Sequence, residues 1–317
     1  MTPDISVIIT VYNKEHYIYN TIQSVLNQTY SNFEIIIVND GSSDRSESVI
    51  KKITDTRIHY IKQSNQGASV ARNNGIAHAN TNFVALLDGD DTWHETYLES
   101  IINAEKNFPE ASVFASAIAD KYKNEIVPVT YNFEINGNVS IKNYFENSKK
   151  YTLLTSSSIA FKTSILKTTG GFDTSIKSGQ DTDMWIRIGL NYPIVFINKT
   201  LVYYNYIDSS LSNTTFNLAL KPKYDKYEAE EQHNPAVKAF IDKNRYSLAI
   251  LSRLQKDKHA FQFYSSKIKN SNLTLRQNIL LNSPRWVLSS LLQLKALKGR
   301  KLYYRPLNNK NSSKFLI

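Results

Sequence analysis

The chain has 317 residues, no cysteine, a formal net charge of +10, and 41% hydrophobic and 12% aromatic residues. That length buries one substantial core plus a smaller appendage, and the missing cysteine excludes disulfides, thiolate metal sites and a cysteine nucleophile and fits a reducing compartment. No run approaches the roughly 18 apolar residues needed to cross a bilayer, and Asp4 interrupts the N-terminal stretch where an export signal would be apolar, so a cytoplasmic protein, soluble or peripheral at a membrane, is expected.

In chain order, Ile5–Val11 predicts a first core strand, followed by the polar turn Tyr12-Asn13-Lys14 and a helix on which Ile18, Ile22, Val25 and Leu26 recur at helical spacing. A second buried strand over 34–38 ends in Asn39-Asp40-Gly41-Ser42-Ser43-Asp44. A short strand at 58–61 leads through Asn65-Gln66-Gly67 to a helix carrying Ala71-Arg72-Asn73-Asn74. This alternation predicts an α/β fold with a parallel sheet and helices on its faces.

The stretch Phe83-Val84-Ala85-Leu86-Leu87 then reads as a central strand that breaks into Asp88-Gly89-Asp90-Asp91. Acids at the carboxyl end of a parallel strand stand where open α/β folds hold ligands. Three carboxylates within four residues repel unless a cation lies between them, and oxygen-only donors select a hard ion such as Mg²⁺ or Mn²⁺. The alternative is an acidic turn capping a helix that starts near His94.

A helix is expected over about 94–107, further strands over 113–119, 126–131 and 156–161, and an uninformative polar segment over 137–155. In Gly179-Gln180-Asp181-Thr182-Asp183-Met184-Trp185, Asp181 and Trp185 fall one helical turn apart. They either present a carboxylate and a flat aromatic to a hydroxylated ring, or form an N-terminal helix acid above a core Trp. His59, His78 and His94 do not cluster at metal-ligand spacing.

Charge is uneven. Residues 1–215 carry 18 Lys+Arg against 22 Asp+Glu, whereas residues 216–317 carry 20 against 6. The shift predicts a boundary near 215 and a basic, helical C-terminal region attracted to an anionic surface. There Ser283-Pro284 reads as a helix start, followed by an apolar band of Trp286, Val287, Leu288, Leu291, Leu292 and Leu294 with Arg285, Lys295, Lys298, Arg300 and Lys301 around it. Such a helix lies on a membrane surface or packs as a hairpin with a solvated basic face.

Over about residues 3–215 the chain resembles the family 2 glycosyltransferases, inverting nucleotide-sugar enzymes with the GT-A fold. The resemblance is carried by Ser6-Val7-Ile8-Ile9-Thr10-Val11-Tyr12-Asn13, Val38-Asn39-Asp40-Gly41-Ser42-Ser43-Asp44, Asn65-Gln66-Gly67 with Ala71-Arg72-Asn73, Asp88-Gly89-Asp90-Asp91, and Gly179-Gln180-Asp181, all in order. It implies a GT-A nucleotide-binding sheet with a nucleotide-sugar half over about 1–93 and an acceptor half over 94–215, followed by the helical region 216–317.

Position by position, the resemblance implies that Thr10 and Tyr12 line the base pocket, with Asn65 and Gly67 beside the nucleotide. Asp40 would hydrogen-bond the nucleobase, most often uracil; Arg72 would sit near the pyrophosphate or base, and Asp88 near the ribose and sugar. Asp90 would be the main Mn²⁺ or Mg²⁺ ligand, and Asp91 would assist it through water or bind the sugar. Asp181 would be the catalytic base; Trp185, from its place one helical turn on rather than from the resemblance, is the expected acceptor contact. Two departures stand out: Gln180 where the family often has Glu, and Asn205 and Ile207 where it often has Arg and His, so no histidine ligand is expected.

The expected partners are a nucleoside-diphosphate sugar, a glycan or lipid-linked acceptor and an anionic membrane surface, with no nucleic acid. A nicotinamide dehydrogenase is disfavoured because Val11-Tyr12-Asn13 offers no glycine-rich phosphate loop. The remaining alternatives are a nucleic-acid-binding protein using the basic tail and a non-catalytic sugar-nucleotide binder.

Overall fold

The computed structural model describes residues 2–122, 125–205 and 217–297. Two compact units separate at Ser212/Asn213.

The first unit is built on one mixed sheet of ten strands, which we number in chain order: β1 (Ile5–Val11), β2 (Phe33–Asp40), β3 (Ile58–Gln63), β4 (Phe83–Asp88), β5 (Thr92–Trp93), β6 (Val113–Tyr122), β7 (Glu125–Pro128), β8 (Val139–Lys142), β9 (Ile159–Lys162) and β10 (Ile194–Asn205). The main path runs β3-β2-β1-β4-β9-β6-β10-β5. The predicted first four core strands are all present, and β1 to β4 are parallel neighbours in the order 3-2-1-4. The near-continuous Ile, Val and Leu runs of β1, β2 and β4 are buried, as a sheet covered on both faces requires, whereas the edge strand β3 is only partly covered. Each such side chain contributes about 1.5–3 kcal/mol over its exposed state.

The second half departs from a purely parallel plan. Strand β9 enters antiparallel between β4 and β6, and β10 runs parallel to β6 but antiparallel to β5 and β8. Strand β10, buried along Ile194–Ile197 and at Leu201 and Val202, was not anticipated. Its apolar positions are broken by Asn198 and Lys199, where the register with β6 shifts, and this bulge disrupts the alternation that marks a strand. Strand β8 lies inside the polar segment 137–155 and alternates exposed and half-buried residues. The strand expected over 156–161 starts only at Ile159, because Ser156 to Ser158 form a turn.

The helices that place the site are α1 (Ile18–Leu26), α2 (Ser46–Ile50), α3 (Ala68–Ala77), α4 (Tyr97–Asn107), α5 (Tyr144–Asn147), α6 (Leu166–Thr169) and α7 (Gln180–Asn191). Helix α3 lies directly on β1 and β2: a Cβ at Gly75 would collide with Ile8 Cγ2 and come within 3.2 Å of Val38 Cγ2. That close approach sets the depth at which Arg72, one turn earlier, enters the molecule. Helix α4 begins after Thr96, so the acids at 88–91 do not cap it.

The second unit is helical, with helices at Glu228–His233, Pro235–Leu254, Lys258–Ser265, Leu275–Asn282 and Arg285–Leu297. Val237, Ile241, Tyr246, Ala249 and Ile250 form its core. Arg245 is buried against Glu231 in a two-pronged pair at 2.5 and 2.6 Å, the bidentate geometry of a strong charge-assisted pair. The last helix starts one residue later than expected, and the Ser283 hydroxyl turns back to donate to Ile279 O (2.7 Å). The expected apolar band divides: Leu288 is buried, whereas Trp286 is 71% and Leu294 55% exposed. Leu275 and Ile279 are also exposed, at 80% and 58%. The side chains of Leu292 and Lys295, and residues Lys298, Arg300 and Lys301, lie outside the described residues, as does Ile207.

Candidate active site

In the order 3-2-1-4 the chain winds outward on one side of β1 and then crosses to the other, so β1 and β4 flank a crevice at their carboxyl ends, where such sheets bind ligands. Thr10 and Asp88 are register partners across it. Gly89 N–H donates to Thr10 O (3.0 Å), holding the acidic turn against the end of β1.

Four predicted residues meet in this crevice. Arg72, 4% exposed, donates from Nη2 to Asp88 Oδ1 (2.7 Å) and from Nη1 to Asp181 Oδ1 (3.0 Å). The guanidinium lies 5.3 Å from the centre of the Phe172 ring, which meets Trp185 edge-on at 5.9 Å between centroids. Asn73 fixes Phe172 with two hydrogen bonds, donating from Nδ2 to Phe172 O (2.8 Å) and accepting from Phe172 N–H at Oδ1 (2.9 Å). The fourth residue, Asp90, pairs with Lys14 Nζ at 2.5 Å from Oδ2.

The electrostatics follow from this crowding. Burial pushes the Asp181 carboxyl above the ordinary carboxylate range; Arg72 opposes the rise and Asp88 adds to it. Burial likewise raises Asp90, with Lys14 opposing. The Tyr204 phenol, near the end of β10, is raised by burial and by the surrounding Asp91, Asp88, Asp90 and Asp181. The crevice therefore crowds carboxylates together, with Arg72 and Lys14 as their counter-charges.

Asp91 is placed differently from the expectation. It is 1% exposed, with Oδ2 accepting from Ser157 Oγ (2.5 Å) and Oδ1 from Asn205 N–H (3.0 Å). Each oxygen takes one hydrogen bond that ties the acidic turn to β10 or to the turn before β9, so Asp91 is a buried anchor of that turn. Asn205 adds a bond from Nδ2 to Asp90 O, closing the turn from the position where the family often carries Arg.

Trp185 also departs from its expected role. At 3% exposure it is a core residue beneath Phe172 and cannot present its face to an acceptor. Helix α7 is amphipathic, and its N-terminal end puts Asp181 in the crevice with its side chain 40% exposed while Trp185, one turn on, points inward.

Just beyond the end of β1, Tyr12 is 47% exposed. Asp40 is buried, and Oδ1 accepts from Gln63 Nε2 (2.7 Å) and Gln66 N–H (2.9 Å) while Oδ2 accepts from Gly67 N–H (2.9 Å). Its first duty is thus to hold the 65–67 loop, which leaves Oδ2 with one protein donor among the described residues. Asn65 is exposed on that loop. Gly41, at φ +70°, is needed because a Cβ there would lie 2.7 Å from Asn65 N.

Among the described residues no group of three or more His, Cys, Asp or Glu could by itself hold a metal ion. Among the described residues Arg72 pairs with Asp88 through Oδ1 and Lys14 with Asp90 through Oδ2. Two hard carboxylate donors facing a crevice fit a Mg²⁺- or Mn²⁺-type ion whose shell a substrate phosphate completes. Lys14, Ser157, Asn73 and Phe172 were missed as site residues; the first looked like part of a polar turn, and the others act only through contacts distant in sequence.

The sequence profile described as Glycosyl transferase family 2 matches residues 6–170. This chain belongs to that family. It is 32% identical over 223 residues to Glycosyltransferase GlyA of Streptococcus pneumoniae serotype 4, which covers 66% of this chain but only 31% of GlyA. It is 30% identical over 271 residues, 83% of the chain and 98% of the relative, to the Escherichia coli UDP-Glc:alpha-D-GlcNAc-diphosphoundecaprenol beta-1,3-glucosyltransferase WfgD. Among solved structures, S. aureus TarS 1–349 in complex with UDP superimposes with a TM-score of 0.64 at 19% identity, covering 95% of this chain and 93% of that one. The fold of this glycosyltransferase is therefore of the GT-A type, as the resemblance implied.

Proposed function

We propose that this glycosyltransferase moves a sugar, with inversion, from a nucleoside-diphosphate donor, UDP-linked, to a hydroxyl of a growing polysaccharide or lipid-linked glycan. The observation that carries the reading is the buried Arg72, which joins the donor-side Asp88 and the acceptor-side Asp181 through one guanidinium. The UDP bound in TarS and the UDP-glucose named for WfgD support the choice of nucleotide. The diphosphoundecaprenol acceptor in the WfgD name supports the lipid-linked class.

The residues divide the work by position. Asp181 accepts the proton of the attacking hydroxyl on the oxygen not bound to Arg72, as the new bond to the anomeric carbon forms and the diphosphate departs with the bonding electrons. Its raised proton affinity suits a base that acts late, when the hydroxyl has become acidic. Arg72, with its guanidinium over the Phe172 ring, keeps Asp181 and Asp88 oriented and places a fixed cation near the leaving group. Asp40, Gly41 and the 65–67 loop shape the base pocket, with Thr10 and Tyr12 at its wall and rim. Asp88 and Asp90 would hold Mn²⁺ or Mg²⁺, whose contribution is to neutralise charge developing on the phosphate.

The helical unit supports a peripheral membrane role. Leu275, Ile279, Trp286 and Leu294 are exposed apolar side chains in a region with 20 Lys+Arg against 6 Asp+Glu, the composition of a surface that meets anionic lipid headgroups. No described helix is long and apolar enough to cross a membrane.

A thermal-shift panel of UDP-, GDP- and dTDP-sugars with and without Mn²⁺ tests the reading. Stabilisation by a UDP-sugar that requires Mn²⁺ is expected; a chain that no sugar nucleotide stabilises, with or without the ion, would sink it.

A further inference from the structure

The ammonium of Lys14 stands where two positive charges would compete. Its nitrogen is 2.5 Å from Asp90 Oδ2, and the two side chains are 22% and 16% exposed. The position is built in. Lys14 N–H donates to Ser46 Oγ (2.8 Å), and Lys14 O accepts from Tyr17 N–H and Ile18 N–H (2.9 Å each) as the chain turns into α1. The backbone is therefore pinned on both sides, while the flexible four-carbon stem leaves the ammonium free to change partner. Arg72 has no such freedom: it is buried, held by two carboxylates and backed by Phe172.

A divalent ion on Asp90 would sit close to that ammonium, and like charges at such separation repel strongly in a partly buried crevice. Removing Lys14 from Asp90 without offering it another anion leaves a cation stranded, which is costly. A diphosphate supplies that anion.

We propose that Lys14 is a resident counter-cation of Asp90 which the donor diphosphate draws away, so that the divalent ion and the nucleotide enter as a pair. The inference rests on the reading that Asp90 meets a metal-bound diphosphate. Before the donor arrives, Lys14 neutralises Asp90 and holds the corner against bare Mn²⁺. When the diphosphate binds, Lys14 moves to a phosphate oxygen and Asp90 becomes available. By linkage each ligand then raises the affinity of the other by the same factor.

The test measures Mn²⁺ binding to the full chain by electron paramagnetic resonance of the free ion, with and without UDP, for wild type, Lys14→Met and Lys14→Arg. Lys51→Met, which removes an exposed lysine paired with Glu47, controls for the general loss of one positive charge. Wild type should bind Mn²⁺ at least tenfold more tightly with UDP than without. K14M should bind Mn²⁺ alone at least fivefold more tightly than wild type, bind UDP more weakly, and lose at least threefold of the mutual enhancement. K14R should keep it, and K51M should behave as wild type. Thermal melts check the fold, and Lys14→Gln replaces K14M should the latter not fold.

Equal Mn²⁺ affinity and equal enhancement in K14M and wild type would overturn the role of Lys14 and leave the donor reading standing. Absence of Mn²⁺ binding in every variant, with UDP present, would overturn the metal reading and this inference together.

Discussion

Arg72 and Asp181 lie 109 positions apart in the chain and share a hydrogen bond of 3.0 Å. The second arm of the same guanidinium reaches Asp88, so one buried side chain joins the carboxyl end of β4 to the first turn of α7. Its orientation comes from below, through Phe172, Trp185 and the paired hydrogen bonds of the Asn73 side-chain amide.

Replacing Asp181 with Asn removes the base and keeps the shape. Turnover should fall by about 10²–10⁴-fold, while UDP affinity, measured by calorimetry, stays within about threefold. In wild type a base works only when ionised. Since the proton affinity of Asp181 is raised, activity should be lost as pH falls through a value above the ordinary carboxylate range. Arg72→Met removes the charge that opposes the rise, so the acid limb of its kcat profile should move to higher pH. An unmoved limb would argue that another group supplies the base.

Asp90 and Asp91 are adjacent in sequence but should fail in different ways. Asp91→Ala strips acceptors from Ser157 and Asn205, and should cost about 1–3 kcal/mol in urea unfolding. Asp90→Ala leaves the Lys14 ammonium without its carboxylate, so it too should lower the unfolding midpoint, but it should in addition weaken Mn²⁺-dependent UDP binding by tenfold or more. A D91A variant as stable as wild type but unable to bind UDP would restore Asp91 to the ligand set.

Trp185 distinguishes core from platform. Trp185→Ala should cost about 3–5 kcal/mol, in the manner of a buried aromatic. Trp185→Phe should fold and keep the acceptor KM within about twofold, whereas a direct acceptor contact would raise it at least tenfold.

Gly41→Ala forces a side chain into left-handed backbone and against Asn65 N. The strain, about 1–3 kcal/mol, should appear both as a lower melting temperature and as a higher donor KM, because the 65–67 loop must move. A wild-type donor KM in G41A would separate that loop from the nucleotide.

The helical unit offers its own test. The full chain should sediment with anionic phospholipid vesicles at low salt and be released by salt. The combined L275E, I279E and W286E variant should stay in the supernatant. Equal sedimentation of the two proteins would place membrane contact elsewhere or remove it.

The parallel core and its ligand-bearing ends were legible in the residue order alone, because strands buried on both faces are written as short apolar runs and their polar termini follow at once. Strand β1 and the acids after β4 needed no tertiary information. The residues at 180–181 were legible only as one of several ordered motifs, since an acid in the first turn of a helix is commonplace.

Tertiary structure decided which of those acids face the crevice. Sequence spacing sets Asp90 and Asp91 side by side, but adjacent side chains leave the backbone in different directions; Ser157 and Asn205, remote in the chain, supply the donors that bury one and leave the other paired with Lys14. Trp185 was decided in the same way, by the arrival of Phe172 above it. Local pattern determines which elements form and where charge gathers; what each charged group does depends on which distant partners the packed chain brings within hydrogen-bond reach.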